Sequence, residues 1–142
     1  DLYTDKKIVT NYSRDKFGLR NRYKDLDKID ILLIGGSTTD QRFIDDDETW
    51  GHILEKYFHS EGKKIDIVNA GIDGQTSKGH IWNFKNWFNK IDNLRSKYII
   101  FYLGINEYDI NYYGNLKILT NIFKMNKLDI NYSKNKCVIR LK

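Results

Sequence analysis

Cysteine, proline and histidine are scarce or missing in this sequence of 142 residues. The single cysteine, Cys137, excludes an internal disulfide and a cysteine-rich metal site, and we interpret it as a small buried apolar residue. The three histidines lie at scattered spacings that do not form a zinc-binding pattern. We therefore predict no metal site.

Long hydrophobic runs are also lacking. No stretch approaches the roughly 18 apolar residues that a membrane span requires. Residues 1–8 are mixed and charged, so the sequence shows no signal peptide. We expect a soluble chain with no membrane span, whose compartment and oligomeric state stay open.

The excess of positive charge is modest, with 24 Lys and Arg against 19 Asp and Glu. Part of the excess lies in residues 117–142, where lysines alternate singly with apolar residues. No nucleic-acid-binding motif accompanies them. We interpret these lysines as a solvated face and predict no nucleic-acid partner.

Five segments indicate an α/β protein. Short continuous apolar runs predict buried strands at residues 30–34, 65–68 and 98–103. Apolar residues at helical spacing predict helices at residues 49–60 and 77–94, the second with Ile81, Phe84, Phe88 and Ile91 on one face. Strands that alternate with helices in this way favour right-handed crossovers and a parallel sheet.

The remaining segments give weaker signals. We expect residues 1–29 to form an irregular surface lead-in and residues 30–142 to form one α/β domain. Residues 36–48 are predicted to be a loop, whose acidic end, residues 45–48, would lie at a helix N-terminus where the macrodipole favours negative charge. A helix at residues 116–125 and a strand at residues 137–141 complete the prediction.

Three glycine-containing loops follow the three predicted strands. They are residues 35–39 (GGSTT), 71–76 (GIDGQT) and 104–107 (GINE). Because the carboxyl ends of parallel strands meet at one edge of a sheet, we expect these loops to lie together. Such an edge can perform acyl transfer, since a serine on a sharp turn is exposed and nearby N–H groups can bind a developing oxyanion.

The same loops resemble three sequence blocks of the SGNH/GDSL serine hydrolases. Residues 34–39 (IGGSTT) are similar to the nucleophile block, residues 69–76 (NAGIDGQT) to the second block, and residues 103–107 (LGINE) to the third. The blocks occur in the family's order, within residues 30–109. Each motif alone is weak, and the weight comes from three motifs following three predicted strands.

The resemblance implies a fold and a set of site residues. It implies a three-layer α/β/α sandwich with a flavodoxin-like parallel sheet, and Ser37 as the nucleophile. It also implies an oxyanion hole made of the Ser37 and Gly74 amides and the Asn106 side chain. The implied activity is that of an esterase acting on small-molecule, acyl or carbohydrate esters, with no cofactor.

The sequence departs from the family pattern at three points. Gly36 replaces the usual Asp before the serine, and Glu107 replaces the Asp that commonly follows the asparagine. The family's C-terminal Asp-x-x-His block is missing, because none of His52, His59 and His80 has an Asp three residues before it. We expect all three histidines on helical surfaces or helix boundaries, the catalytic His and Asp to be unassigned, and the domain to be truncated at its C-terminal end.

Two other readings remain open. If the chain is complete, it is a catalytically incomplete SGNH-like protein that binds acyl or sugar ligands without turnover. The rival from another class is a flavodoxin-like phosphate or nucleotide binder, with a hydroxyl-rich phosphate turn at residues 37–39 and stacking by Tyr108, Tyr112 and Tyr113. That reading predicts a helix starting directly at Thr38 or Thr39.

Overall fold

The computed structural model describes residues 9–103, 106, 129–133 and 136–140. Its helices and strands are, in chain order, β1 (Ile29–Gly35), α1 (Ser37–Asp40), α2 (Trp50–Ser60), β2 (Ile67–Asn69), α3 (Ser77–Asn86), β3 (Ser96–Tyr102), β4 (Asp129–Ser133) and β5 (Lys136–Arg140). Short 3₁₀ turns occur at Leu26–Lys28, Asp46–Glu48 and Phe88–Lys90.

The sheet has the strand order β2-β1-β3-β5-β4. Strand β1 runs parallel to both of its neighbours, and Leu33 at its centre pairs with Asn69 on β2 and Ile100 on β3. This confirms the parallel sheet predicted for the first three strands. The last two strands differ, because β5 is antiparallel to β3 and to β4. The predicted strand at residues 137–141 therefore corresponds to one arm of a hairpin, which needs no crossover helix.

The side chains of β1 alternate between two apolar clusters, one on each face of the sheet. Leu32 and Ile34 belong to a cluster that includes Phe88 after α3. Ile31 and Leu33 belong to a second cluster, against which Leu54 of α2 packs. Helices thus cover both faces of the sheet, as the predicted three-layer α/β/α sandwich requires.

Helix α2 has the predicted limits within one residue. Thr49 caps its N-terminus, where the Thr49 hydroxyl accepts a hydrogen bond from the His52 N–H at 3.3 Å. The acidic run lies just before this cap, in the 3₁₀ turn Asp46–Glu48. Its position agrees with the prediction, and Asp46 also accepts hydrogen bonds from Ser13 and pairs with Arg20.

Helix α3 is shorter than predicted, although Phe84, Phe88 and Ile91 of this segment pack in the core as expected. It ends at Asn86, and Trp87 leaves the helical conformation with φ −120° and ψ −68°. The prediction of one helix over residues 77–94 is therefore wrong beyond Asn86. Its fully buried positions are polar, namely Ser77, His80 and Asn83, whereas the sequence analysis looked for an apolar stripe. The expectation that His80 lies on a surface or boundary is wrong, since its exposure is 0 %.

The prediction for the segment after β1 is also wrong in part. Residues 37–40 are not part of a loop, because α1 begins immediately at Ser37 and the Thr39 and Asp40 N–H groups donate to the Gly36 carbonyl at 3.0 and 2.9 Å. The rival reading, a phosphate or nucleotide binder, predicted a helix at this place. Helix α1 is a single turn, and it ends at Gln41 with a left-handed φ of 50°.

The segment before β1 is irregular but partly buried. Leu19 and Arg20 are 0 % and 1 % exposed, and the backbones of Arg20 and Asn69 exchange two hydrogen bonds of 2.8 and 2.9 Å. The expectation of a surface lead-in is therefore wrong for these two residues. The domain boundary at residues 29–30 stays a prediction.

Several predictions fall on residues outside the described ranges. These include the helix at residues 116–125 and the residues Glu107, Tyr108, Tyr112 and Tyr113. Among the described helices, each is too short or too polar to cross a bilayer.

Candidate active site

The first loop of the site is the turn that carries Ser37. A side chain at Gly35 would approach the Tyr102 carbonyl oxygen to 2.6 Å, so this strand end tolerates only glycine without a backbone shift. Ser37 follows as the first residue of α1 and is half-buried. The close packing of Gly35 therefore sets the point at which the chain turns from β1 into the serine-bearing helix.

The second loop is tied to α1 through Asn69. The fully buried Asn69 amide nitrogen donates to the Thr39 carbonyl at 2.6 Å, and its oxygen accepts from the Gly71 N–H at 2.8 Å. Gly71 is the point of closest approach, since a Cβ there would lie 2.5 Å from the Asp40 backbone nitrogen. The positions of the first and second loops are thus fixed relative to each other.

The turn that contains Gly74 continues from this junction. The Ile72 N–H donates to the Gly35 carbonyl at 2.9 Å, and the Gln75 N–H donates to the Ile72 carbonyl at 3.1 Å. Gly74 occupies the third position of that turn with φ +70°, a left-handed conformation that favours glycine. It is exposed, and a Cβ there would meet no atom within 4 Å.

Asn106 brings the third loop to the other two. Its side-chain nitrogen donates to the Gln75 carbonyl at 3.0 Å. The same nitrogen would lie 2.5 Å from a Cβ on Gly36, so the absence of a side chain at Gly36 lets the amide sit against the serine turn. The three loops therefore meet, as the sequence analysis expected from parallel strand ends.

This arrangement leaves hydrogen-bond donors beside Ser37. Within the described part of the chain, no group accepts a hydrogen bond from the backbone N–H of Ser37 or of Gly74. The amide of Asn106 uses one of its two N–H bonds on Gln75, and the second has no acceptor among the described residues. Backbone and amide N–H groups of this kind are the donors that an oxyanion hole uses.

Two of the histidines lie on α2, and each contacts other groups of the fold. His52 is half-buried, with Nδ1 at 3.4 Å from Glu55 and Nε2 at 3.7 Å from Asp47. His59 is exposed and its Nε2 lies 3.1 Å from the Ile65 carbonyl oxygen. Their expected places on a helix surface and at a helix boundary are confirmed.

Arg14 holds the serine-bearing helix against the second loop. One guanidinium nitrogen donates to Asp40 at 2.7 Å and to the Gly71 carbonyl at 2.5 Å, and another donates to the Gly18 carbonyl. Burial alone would lower the pKa of Arg14, but the Tyr12 hydroxyl and the Asp40 carboxylate outweigh that effect and raise it. Arg14 is therefore charged at any working pH.

Arg20 fixes the chain immediately after α1. Its fully buried guanidinium donates to the backbone carbonyls of Asp40, Gln41 and Ile44 and to the Asp46 carboxylate, the last at 2.6 Å. Neither arginine was predicted from the sequence. No signal in the sequence points to them, because Asp40 and Gly71, to which Arg14 donates, and the partners of Arg20 lie twenty or more residues away along the chain.

A cavity of about 550 Å³ opens beside the serine turn. It lies between α1, α2 and the end of β3, and it is lined by Thr38, Gln41, Trp50, Ile100, Phe101 and Tyr102. The Trp50 indole N–H donates to the Thr38 carbonyl at 3.0 Å, which holds the ring at the edge of the cavity. Its lining is mostly apolar.

A cluster of side chains of the metal-ligating type lies elsewhere, on α2 and just before β2. One ligand atom from each of Glu55, His59 and Asp66 falls within 4.8 Å of the others. Two of these side chains already serve the fold, because Glu55 accepts from the Ile67 N–H at 2.9 Å and His59 contacts the Ile65 carbonyl. We assign no metal to this cluster.

The comparisons with known proteins rest on solved structures. No protein-family model and no curated relative matches the chain. AlinE4, described as an SGNH-hydrolase family esterase, has a TM-score of 0.59 at 22 % identity, over 70 % of this chain and 53 % of AlinE4. The psychrotrophic esterase EstA from Pseudoalteromonas sp., in a structure inhibited by monoethylphosphonate, has a TM-score of 0.54 at 20 % identity, over 70 % of this chain and 54 % of EstA.

A third structure, TesA, has a TM-score of 0.56 at 22 % identity, over 67 % of this chain and 52 % of TesA. The chain therefore has the fold of the SGNH-hydrolase esterases. It spans about half the length of these matched structures.

Proposed function

We propose that this chain carries the nucleophile and the oxyanion hole of a serine ester hydrolase, with Ser37 as the attacking residue. The observation that carries the proposal is the position of the Asn106 amide, which contacts Gly36 and donates to Gln75 at 3.0 Å. One side chain thus joins the serine turn to the Gly74 turn. The shared fold with SGNH-hydrolase esterases supports the same assignment.

In the proposed reaction the Ser37 hydroxyl oxygen attacks the ester carbonyl carbon. The carbonyl oxygen becomes an oxyanion, which accepts hydrogen bonds from the Ser37 N–H, the Gly74 N–H and the second Asn106 N–H. The alcohol then leaves with a proton, and water hydrolyses the acyl-serine. Each donor of such a hole contributes about 2.7–4 kcal/mol to transition-state stabilisation.

The proton acceptor for Ser37 is the missing element. The chain has no Asp-x-x-His block, and His52 and His59 are engaged on α2. A serine without a base is a weak nucleophile at neutral pH. We therefore expect slow turnover by this chain alone, and full activity only where a base is supplied.

A second candidate, which applies if this sequence is the whole protein, is a catalytically incomplete SGNH-like protein. Such a protein would bind esters at the Ser37 rim without hydrolysing them. The two candidates share the oxyanion donors and differ only in whether the Ser37 hydroxyl reacts.

The cavity beside Thr38 supports small acyl esters as the substrate class. Its volume of about 550 Å³ is in the range of small-molecule pockets. The acyl chain would lie against Trp50 and Tyr102, whose rings pack edge to face at a centroid distance of 6.4 Å.

Labelling with a fluorophosphonate tests the proposal, with the modified residue located by mass spectrometry. We expect slow modification confined to Ser37 in the folded chain, none in Ser37→Ala, and none at the exposed Ser60, which serves as the internal control. Asn106→Ala should slow labelling about 100-fold, because one oxyanion donor is lost. A folded chain that stays unlabelled at Ser37 would favour the incomplete protein.

A further inference from the structure

The Gly74 turn contains a reactive pair of residues. Asp73 directly precedes Gly74 and forms the only Asp-Gly pair in the sequence, in which no asparagine precedes a glycine. The carboxyl group of an aspartate can be attacked by the backbone nitrogen of the next residue, and glycine has no side chain to hinder that approach. The function proposed above uses the Gly74 N–H and leaves the Asp73 side chain without a role.

The structure leaves both residues accessible. The Asp73 side chain is 43 % exposed, and Gly74 is exposed as well. A Cβ at Gly74 would meet no atom within 4 Å, so the space beside its backbone is open. The Asp73 carboxyl group can therefore swing toward the Gly74 nitrogen without displacing a packed side chain.

The reacting groups are held only weakly. The Asp73 carboxylate pairs with the exposed Arg42 at 3.0 Å, and exposed pairs of this kind are weak. Within the described part of the chain, no group accepts a hydrogen bond from the Gly74 N–H. The turn is closed by the bond from the Gln75 N–H to the Ile72 carbonyl at 3.1 Å. A small local opening thus suffices to bring nitrogen and carboxyl carbon together.

The reaction between these groups needs no other reactant than water. The Gly74 nitrogen attacks the Asp73 Cγ atom, a C–N bond forms, and the carboxyl OH leaves as water with the hydrogen of the Gly74 N–H. The product is a cyclic succinimide that joins the two residues. Water then opens the ring: addition at Cγ restores aspartate, whereas addition at the main-chain carbonyl carbon leaves the chain linked through Cγ, as isoaspartate.

Both products change the donor at Gly74. The succinimide nitrogen carries no hydrogen and donates to nothing. Isoaspartate regains the N–H but adds one methylene carbon to the main chain, which displaces Gly74 within the turn. This consequence rests on the proposed function, which assigns the Gly74 N–H to the oxyanion hole.

We propose that Asp73 is a modification site, at which spontaneous isomerisation to isoaspartate disables the oxyanion hole. The modification itself does not require Ser37 to react. Only its effect on Ser37 depends on the esterase function, so the two parts are measured separately.

Mass spectrometry of the folded chain after several weeks at neutral pH tests the modification. Trypsin cleavage after Lys64 and Lys78 releases residues 65–78, and electron-based fragmentation of this peptide distinguishes isoaspartate from aspartate. A synthetic peptide of the same residues, aged beside the chain, serves as the positive control. We expect isoaspartate to accumulate at residue 73 in both samples above the unaged baseline, and none at Asp66, which precedes a β-branched isoleucine.

Fluorophosphonate labelling of the aged chain tests the effect on Ser37. We expect two phases, with a slow fraction that equals the isoaspartate fraction and reacts about 100-fold more slowly, as for the loss of one oxyanion donor. Asp73→Glu is the matched control. Its carboxylate is one methylene farther from the backbone and does not close the same ring, so the aged variant should label at its unaged rate.

The proposal is overturned if the peptide converts and the folded chain shows no isoaspartate at residue 73. If isoaspartate forms but the aged chain labels in one phase at the unaged rate, the effect on the oxyanion hole is refuted. The isoaspartate measurement decides the modification even in a chain that does not label at Ser37. Circular dichroism confirms that the aged chain is still folded.

Discussion

Replacing Arg20 by leucine should destabilise the fold far more than any surface change. Its guanidinium is fully buried and holds three backbone carbonyls and the carboxylate of Asp46. Leucine fills part of the space but leaves these acceptors without donors. Breaking a buried ion pair in this way costs about 3–5 kcal/mol.

The matched control is Arg42→Leu. Arg42 also pairs with an aspartate, Asp73, at 3.0 Å, but its side chain is 52 % exposed against 0 % for Arg20. An exposed pair contributes about 0–1 kcal/mol. The two variants therefore remove the same chemical group from environments that differ in burial.

Urea unfolding followed by circular dichroism measures both. We expect Arg20→Leu to lose about 3–5 kcal/mol of unfolding free energy, and Arg42→Leu to lose less than about 1 kcal/mol. If Arg20→Leu lost no more than the control, the assignment of Arg20 as the anchor of the segment after α1 would be refuted.

Three further variants test separate parts of the structure. Gly71→Ala places a Cβ 2.5 Å from the Asp40 backbone nitrogen, so it should lower the unfolding free energy by about 1–3 kcal/mol. An unchanged melting temperature would contradict this contact. Gly36→Ala places a Cβ 2.5 Å from the Asn106 amide, a movable side-chain end, so it should slow fluorophosphonate labelling with little change in melting temperature; equal labelling rates would refute the contact. Asp46→Asn tests the pH dependence of stability. Burial alone would raise the pKa of Asp46, but hydrogen bonds from Ser13 and Arg20 outweigh the effect of burial and lower the pKa. The carboxylate therefore stabilises the fold above its unfolded pKa of about 3.9, and this stabilisation is lost as the pH falls through the lower folded pKa. Unfolding free energies between neutral and acid pH should therefore fall less in Asp46→Asn, and parallel curves would contradict the assignment.

The strands and their shared edge were predictable from the sequence. Each parallel strand is a short apolar run, which is a local property, and the meeting of the three loops follows from the parallel arrangement alone. The first and last residues of the strands were predicted less accurately, since β2 spans Ile67–Asn69 where residues 65–68 were predicted.

The tertiary contacts were not predictable. Helix α1 is a single turn held from outside by Asn69, which donates to the Thr39 carbonyl at 2.6 Å, so local propensity gives no sign of it. The burial of the polar residues of α3 was not predicted for a similar reason. Periodicity detects apolar stripes, whereas His80 and Asn83 are polar. Arg14 and Arg20 read as surface charges until their distant partners are known.

A crystal structure of the chain after reaction with a phosphonate ester tests the central claim most directly. We expect a covalent bond from phosphorus to the Ser37 hydroxyl oxygen. We also expect one phosphoryl oxygen at about 2.7–3.1 Å from the Ser37 nitrogen, the Gly74 nitrogen and the Asn106 side-chain nitrogen. A phosphonate attached to another residue, or a phosphoryl oxygen directed away from Gly74 and Asn106, would contradict it.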